Sequence, residues 1–213
     1  EMPSYRLQYF PVRGWAEVSR QLFALSSTPY EDVRITREDW PQHKEVSAAT
    51  PFGQMPVLFV DDQALPQSAA IARYLARQFG FAGKTDIEAA LVDGIVDQFK
   101  DYANDTTPFF LLLFRRLGEE VEDKDKVQAE VGEPARDRHM GLLEKLLEKS
   151  ASGFLVGDSV TWADLMVADH VDVLEGLLPG WFDAFPALLA HRTKIQEIPE
   201  IKAWLEKRPK TPF

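Results

Sequence analysis

Along residues 1–80 the hydrophobic pattern alternates between short apolar runs and helical spacing. It predicts a strand over residues 5–10, a helix from about 14 to 25 and an extended piece over 30–35, which together make a βαβ unit. In residues 51–79, PFGQMPVLFVDDQALPQSAAIARYLARQF, a turn, a hairpin and a helix follow and complete a βαβ-ββα order. Pro56 precedes the apolar run Val57-Leu58-Phe59-Val60; having no amide proton, it enters the strand at its first position or from a turn. Asp61-Asp62 supply the hairpin turn. Gln67 and Ser68 stand before a helix with apolar positions at Ile71, Ala72, Leu75, Ala76 and Phe79, so the Ser68 hydroxyl lies among the unpaired amides of a helix N-terminus. Such a terminus can bind a carboxylate. Taken singly, each of these parts also reads as an ordinary turn or cap.

This order fits a small mixed sheet covered by helices, with a right-handed parallel crossing. Beyond Gly83 the strands disappear. Helical periods take over at Leu91, Ile95 and Phe99, at Leu142, Leu143, Leu146 and Leu147, and at Leu165, Val167, Ala168, Val171 and Leu174. The expected division is residues 1–80, a linker over 81–84, and an all-helical unit over 85–213. Thr161-Trp162-Ala163-Asp164 has the form of a capping box with Asp in place of Glu, flanked by Val160 and Leu165 as a hydrophobic staple. It reads as a helix start with no catalytic role.

The 213 residues are 45% apolar, enough for a substantial core without cross-links. There is no cysteine, so any thiol used in chemistry arrives on a ligand. A net charge of −10 argues against nucleic acid as a partner. No apolar run is long enough for a membrane span and no signal segment precedes the first strand, so the expected location is the cytoplasm. Glu1 ahead of Met2 reads as a leftover or an odd start. His43, His139, His170 and His191 are scattered rather than set at metal-ligand spacing and read as surface or packing residues.

Five separated motifs, QYFPVRGWAE, DW followed by Lys44, PFGQMPVL, QSAAIARYL and GDSVTWADL, together with the ending RPKTPF, carry a family likeness. The chain resembles the cytosolic glutathione S-transferases, in particular the sigma class and its nematode-type members, related to glutathione-dependent prostaglandin D synthase. The resemblance implies a thioredoxin-like N-terminal domain with a cis Met55-Pro56 bond, an all-α C-terminal domain, and glutathione as co-substrate. It implies that Tyr9 is the catalytic tyrosine and that Trp40 and Lys44 hold the glycine carboxylate. It also implies that Gln54 and Met55, with Pro56, clamp the cysteinyl portion, and that Gln67 and Ser68 hold the γ-glutamyl end. Asp101 would reach the glutamyl amine from the other subunit of a homodimer. Phe10, Val12, Trp15, Ala103 and Phe213 would wall the electrophile pocket.

The chemistry of such a site is consistent with those residue types. A free thiol, with a pKa of about 8.5, is only a few per cent ionised at neutral pH, and each unit of depression requires about 1.4 kcal/mol. One hydrogen bond to a charged acceptor contributes about 1.5–3 kcal/mol, enough for one to two units. Tyr9 would therefore act as a neutral donor to the sulfur; on β-propensity alone it also reads as a strand aromatic in the core.

The chain departs from the sigma pattern at Trp15, where vertebrate members commonly carry an arginine near the thiolate. Arg13 could compensate, but its spacing favours a structural ion pair with Glu17, four residues on. Asp93, Asp97 and Asp101 put three carboxylates on one helix face. Lys100 replaces one acidic position of the divalent-metal site that vertebrate relatives place there, so no metal is expected. Phe52 reads equally as a loop aromatic and as a key inserted into a partner subunit. The leading expectation is a transferase acting on small hydrophobic electrophiles in detoxification. The alternatives are prostaglandin-H D-isomerase or lipid peroxidase activity, and a non-catalytic carrier of haem-like ligands.

Overall fold

The computed structural model describes residues 3–44, 50–115 and 123–213; Glu1 and Met2 lie outside them. Strand β1 (Tyr5–Tyr9) runs parallel to β2 (Glu31–Arg34) and antiparallel to β3 (Val57–Val60), which pairs with β4 (Gln63–Pro66) to give the order β2-β1-β3-β4. β1 and β3 are thus the interior strands, and their apolar runs bury Leu7, Val57 and Leu58 completely. Helices α1 (Glu17–Ser26) and α3 (Ser68–Phe79) pack on the sheet through Leu22, Phe23, Ile71 and Leu75. A short helix, α2 (Trp40–Lys44), follows β2. The expected hairpin turn forms at Asp61, whose φ is 52° and whose carboxylate accepts from the Ser4 amide at 2.9 Å.

The second half is helical: α4 (Asp86–Asp105), α5 (Thr107–Arg115), α6 (Lys124–Val127) leading through a π turn (Gln128–Gly132) into α7 (Glu133–Lys149), then α8 (Trp162–Leu177), α9 (Pro186–Gln196) and α10 (Pro199–Lys207). α8 is the central helix, with Trp162, Leu165, Val171 and Leu174 fully buried. Not every leucine of the expected core stripes is inside. Leu91, Leu142 and Leu146 are about half exposed, at 54%, 48% and 44%. α4 and α7 instead bury the neighbouring faces, Val92, Val96 and Tyr102 on one and Met140, Leu143 and Leu147 on the other.

The capping box forms as read: the Thr161 amide and hydroxyl both donate to Asp164 Oδ2 at 2.8 Å. Asp164 does more than cap. Its Oδ1 also accepts from the Leu155 amide at 2.8 Å and lies 2.9 Å from His191 Nε2, and the carboxylate is fully buried. Asp164→Ala leaves those groups without an acceptor in a dry core, so a loss of about 3 kcal/mol is expected in urea unfolding. A loss below about 1 kcal/mol, the usual value of a cap alone, would mean that the extra contacts contribute nothing.

Candidate functional site

A cavity of about 790 Å³ lies between the sheet and the helices. Tyr9, Phe10, Val12, Gly14 and Trp15 reach it from β1 and the loop that follows, and Ser68 and Ala72 from the start of α3. The opposite wall comes from Phe99 and Ala103 of α4, Thr107 and Phe110 of α5, and one face of α8, with Phe213 closing one side. The five residues expected to wall an electrophile pocket therefore line the same cavity as Tyr9 and Ser68.

Tyr9 ends β1, where the sheet holds its backbone: the Ile35 amide donates to its carbonyl at 2.8 Å. Its ring is buried beside Phe10, at an edge-to-face distance of 5.5 Å. Its hydroxyl accepts a hydrogen bond from the Trp15 amide at 3.3 Å. Burial pushes the Tyr9 phenol above its ordinary range, against the opposing pulls of that amide and of the Arg20 charge. The phenol is thus protonated at neutral pH, and with an amide pointing at its oxygen it has its own proton free to donate.

Arg20 holds the loop that supplies this amide. Fully buried, it donates to the Val12 carbonyl at 2.7 Å and the Arg13 carbonyl at 3.3 Å, pairs with Asp32 at 3.2 Å, and places its guanidinium carbon 5.9 Å from the Tyr9 ring centre. Arg13 is structural, but not through Glu17. A 3₁₀ turn at Gly14–Ala16 intervenes before α1, so Arg13 and Glu17 do not share an α-helical face. Arg13 instead pairs with Asp172 at 2.8 Å and Asp169 at 3.6 Å, and Glu17 pairs with Arg208 at 2.6 Å. The Arg13 amide and guanidinium also donate to the carbonyls of Phe213 and Pro212, at 2.9 and 3.2 Å, which docks the tail on the tyrosine loop.

The other expected ligands gather at the sheet end. Trp40 packs edge-on against Phe10 at 5.8 Å, and the Lys44 stem runs beside Gly53. The Met55–Pro56 bond is cis. Gln67 adopts φ 76°, a conformation that costs a non-glycine residue about 1–3 kcal/mol, and its side-chain amide donates to Gln54 Oε1 at 3.4 Å. Asp101 lies exposed on α4 and reaches no other residue of the site. Its two neighbours in the acidic series are matched: Asp93 by Arg73 at 2.9 Å and Asp97 by Lys100 at 3.2 Å. Among the described residues no group of three His, Cys, Asp or Glu side chains is placed to hold a metal, and no helix is long and apolar enough to cross a membrane.

The α8 wall was not foreseen. Met166, Asp169, His170 and Val173 recur at three- and four-residue intervals, forming the face adjacent to the buried stripe, and all four line the cavity. Burial among Phe99, Tyr102 and Phe110 pushes the His170 imidazole down to about 3, and its Nε2 lies 3.1 Å from the Tyr102 hydroxyl. Burial and the Glu17 charge raise the Asp169 carboxyl to about 7, against Arg13 and Arg208. The folded protein therefore binds the Asp169 proton more tightly than the unfolded chain, and this contribution to stability is lost as pH rises from the ordinary carboxylate range towards 7. Asp169→Asn is expected to gain stability relative to the native sequence over that interval in urea unfolding. Parallel stability curves would mean that the carboxyl stays ionised throughout.

Family models for the glutathione S-transferase N-terminal domain and C-terminal domain match residues 5–77 and 104–208. Glutathione S-transferase 1 of Ascaris suum is 49% identical over 212 residues, covering 100% of both chains. The chain belongs to the glutathione S-transferase family. A solved glutathione S-transferase from Ascaris lumbricoides superposes with a TM-score of 0.92 at 49% identity, over 99% of this chain and 100% of that one. Three further structures bear on finer points. A Nu-class enzyme from Haemonchus contortus (46% identical, TM-score 0.88) and a Necator americanus glutathione S-transferase described as monomeric (45%, 0.91) cover 100% and 99% of this chain. A rat protein described as hPGDS complexed with a quinoline (37%, 0.83) covers 99%, and each of the three is itself covered in full. The enzyme is a glutathione transferase, joining the glutathione thiol to hydrophobic electrophiles, and the arrangement above is that of the glutathione S-transferase fold.

Proposed function

We propose that this transferase activates glutathione through a hydrogen bond from the neutral Tyr9 hydroxyl to the sulfur, and that the thiolate attacks apolar electrophiles held in the rest of the cavity. The observation that carries this reading is the Tyr9 hydroxyl itself, which accepts the Trp15 amide at 3.3 Å in the wall of the cavity that Ser68 also lines. In this reading Gln67 and Ser68 receive the γ-glutamyl end, Gln54 and Met55 with Pro56 the cysteinyl portion, and Trp40 and Lys44 the glycine carboxylate. Phe10, Val12, Trp15, Ala103 and Phe213 shape the electrophile site, and no metal takes part.

The division into residues 1–80, 81–84 and 85–213 belongs to the same proposal, as do a cytoplasmic detoxification role and membership of a sigma-like, nematode-type branch. Identity to the Haemonchus Nu-class enzyme exceeds that to the rat hPGDS, 46% against 37%, which supports the nematode side of that assignment. A homodimer completes the site by bringing Asp101 from a second subunit. Exposed Phe52, at 62%, and Ile87, at 68%, supply apolar surface for such an interface.

The likeness to rat hPGDS favours a second reading, isomerisation of a prostaglandin endoperoxide or reduction of a lipid peroxide by the same thiolate. The aromatic walls of a 790 Å³ cavity also suit a planar haem-like ligand. Turnover of the purified protein with an aryl halide, an organic hydroperoxide and a prostaglandin endoperoxide, beside a haematin titration, separates these. Conjugation of the aryl halide as the fastest reaction is the expected result. Tight haematin binding with negligible turnover of all three substrates would favour the carrier instead.

A further inference from the structure

We propose that Gly14 is a positioning residue for sulfur activation, the place where a missing Cβ leaves room for the Tyr9 hydroxyl. This rests on the reading of Tyr9 as the thiolate donor. Gly14 has φ 43°, and a Cβ built on it would lie 2.7 Å from Tyr9 Oη, 3.0 Å from Cε1 and 3.2 Å from Cζ. The first of these is closer than side-chain carbons approach, so something must shift.

Neither side is free to give way. The Tyr9 backbone is locked by the Ile35 amide at 2.8 Å and by its pairing opposite Arg34, and its ring is buried against Phe10. Across the contact, Arg20 holds the Val12 and Arg13 carbonyls, and the Arg13 amide is tied to the Phe213 carbonyl at 2.9 Å. Gly14 immediately precedes Trp15, whose amide donates to the same hydroxyl at 3.3 Å. An added methyl therefore moves either the hydroxyl or the amide that orients it. Both movements take the phenol proton away from the sulfur while leaving Gln54, Gln67 and Ser68 in place.

Ultraviolet titration of the thiolate in the glutathione complex, with steady-state kinetics, tests this on Tyr9→Phe, Gly14→Ala and the double variant. Gly14→Ala is expected to raise the pKa of the bound sulfur by about one unit, a roughly three- to eightfold loss of thiolate at neutral pH, with glutathione affinity within about threefold of the native protein. The double variant is expected to match Tyr9→Phe alone, because no hydroxyl remains to be displaced. If Gly14→Ala does not fold, the double variant is expected to fold, since it lacks the atom at 2.7 Å. An unchanged sulfur pKa in Gly14→Ala beside a raised one in Tyr9→Phe overturns this proposal alone, leaving the glycine a matter of backbone conformation. Additive shifts in the double variant, or failure of both Gly14 variants to fold, do the same. An unchanged sulfur pKa in Tyr9→Phe overturns the reading of Tyr9 and this proposal with it.

Discussion

Tyr9→Phe is expected to lower turnover of an aryl halide by about 10- to 1,000-fold, with the glutathione KM little changed, the pattern for loss of a donor whose bond strengthens as charge gathers on the sulfur. The hydroxyl sits between one donor and the cavity: the Trp15 amide reaches it from the loop, and burial keeps it protonated. In the proposed reading the native phenol therefore acts as a donor to the sulfur and not as a base. Phenylalanine keeps the ring, its contact with Phe10 and its burial, so stability should change far less than activity. A charge-assisted bond of about 1.5–3 kcal/mol corresponds to roughly one to two powers of ten, the lower part of the expected range. Steady-state kinetics at saturating glutathione check it, and unchanged turnover would remove Tyr9 from the mechanism.

Much of the N-terminal half could be read along the chain because its signals are local. The continuous apolar run after Pro56, the Asp61 turn and the apolar spacing after Ser68 each specify an element within a dozen residues. The Thr161–Asp164 box is local in the same sense, whereas its partner His191, 27 residues on, is not. α2 escaped because five residues make less than two turns and display no period. The partner of Arg13 escaped for a different reason. Asp172 lies 159 residues away, and a nearby acidic residue, Glu17, offered a plausible spacing that the 3₁₀ turn removes.

The cavity face of α8 illustrates a third limit. Asp169 and His170 are polar, and a polar pair on an amphipathic helix reads as solvent-facing; here they line the cavity between the two halves. Conversely, Leu91, Leu142 and Leu146 have core spacing but stand outside the packed face of their helices. The roles expected of Trp40, Lys44, Gln67 and Asp101 rest only on family resemblance, since no periodicity distinguishes a ligand-holding side chain from a surface one.

The second large effect is expected from Arg20→Met, and it should be felt in stability and catalysis together. Methionine fills most of the volume but removes the cation and every donor from a site that is fully closed to water. The two carboxylates left behind are not stranded, because Asp32 keeps Arg34 at 2.8 Å and Glu17 keeps Arg208 and Trp204 at 2.6 and 2.7 Å. The cost therefore falls on the Val12 and Arg13 carbonyls, each losing its Arg20 donor, and at about 1–3 kcal/mol for each unpaired buried group a loss of about 3 kcal/mol is expected in urea unfolding. Those carbonyls belong to the loop that carries the Trp15 amide to the Tyr9 hydroxyl, so relaxation of the loop should also lower kcat below the midpoint temperature of the variant. Arg20→Lys separates the two effects. It retains the charge beside Glu17 and Asp32, but one ammonium lacks the planar fork that reaches Val12, Arg13 and Asp32 at once, so it should recover more of the stability than of the turnover. Wild-type kcat in the methionine variant would mean that the loop and its amide hold their place without Arg20.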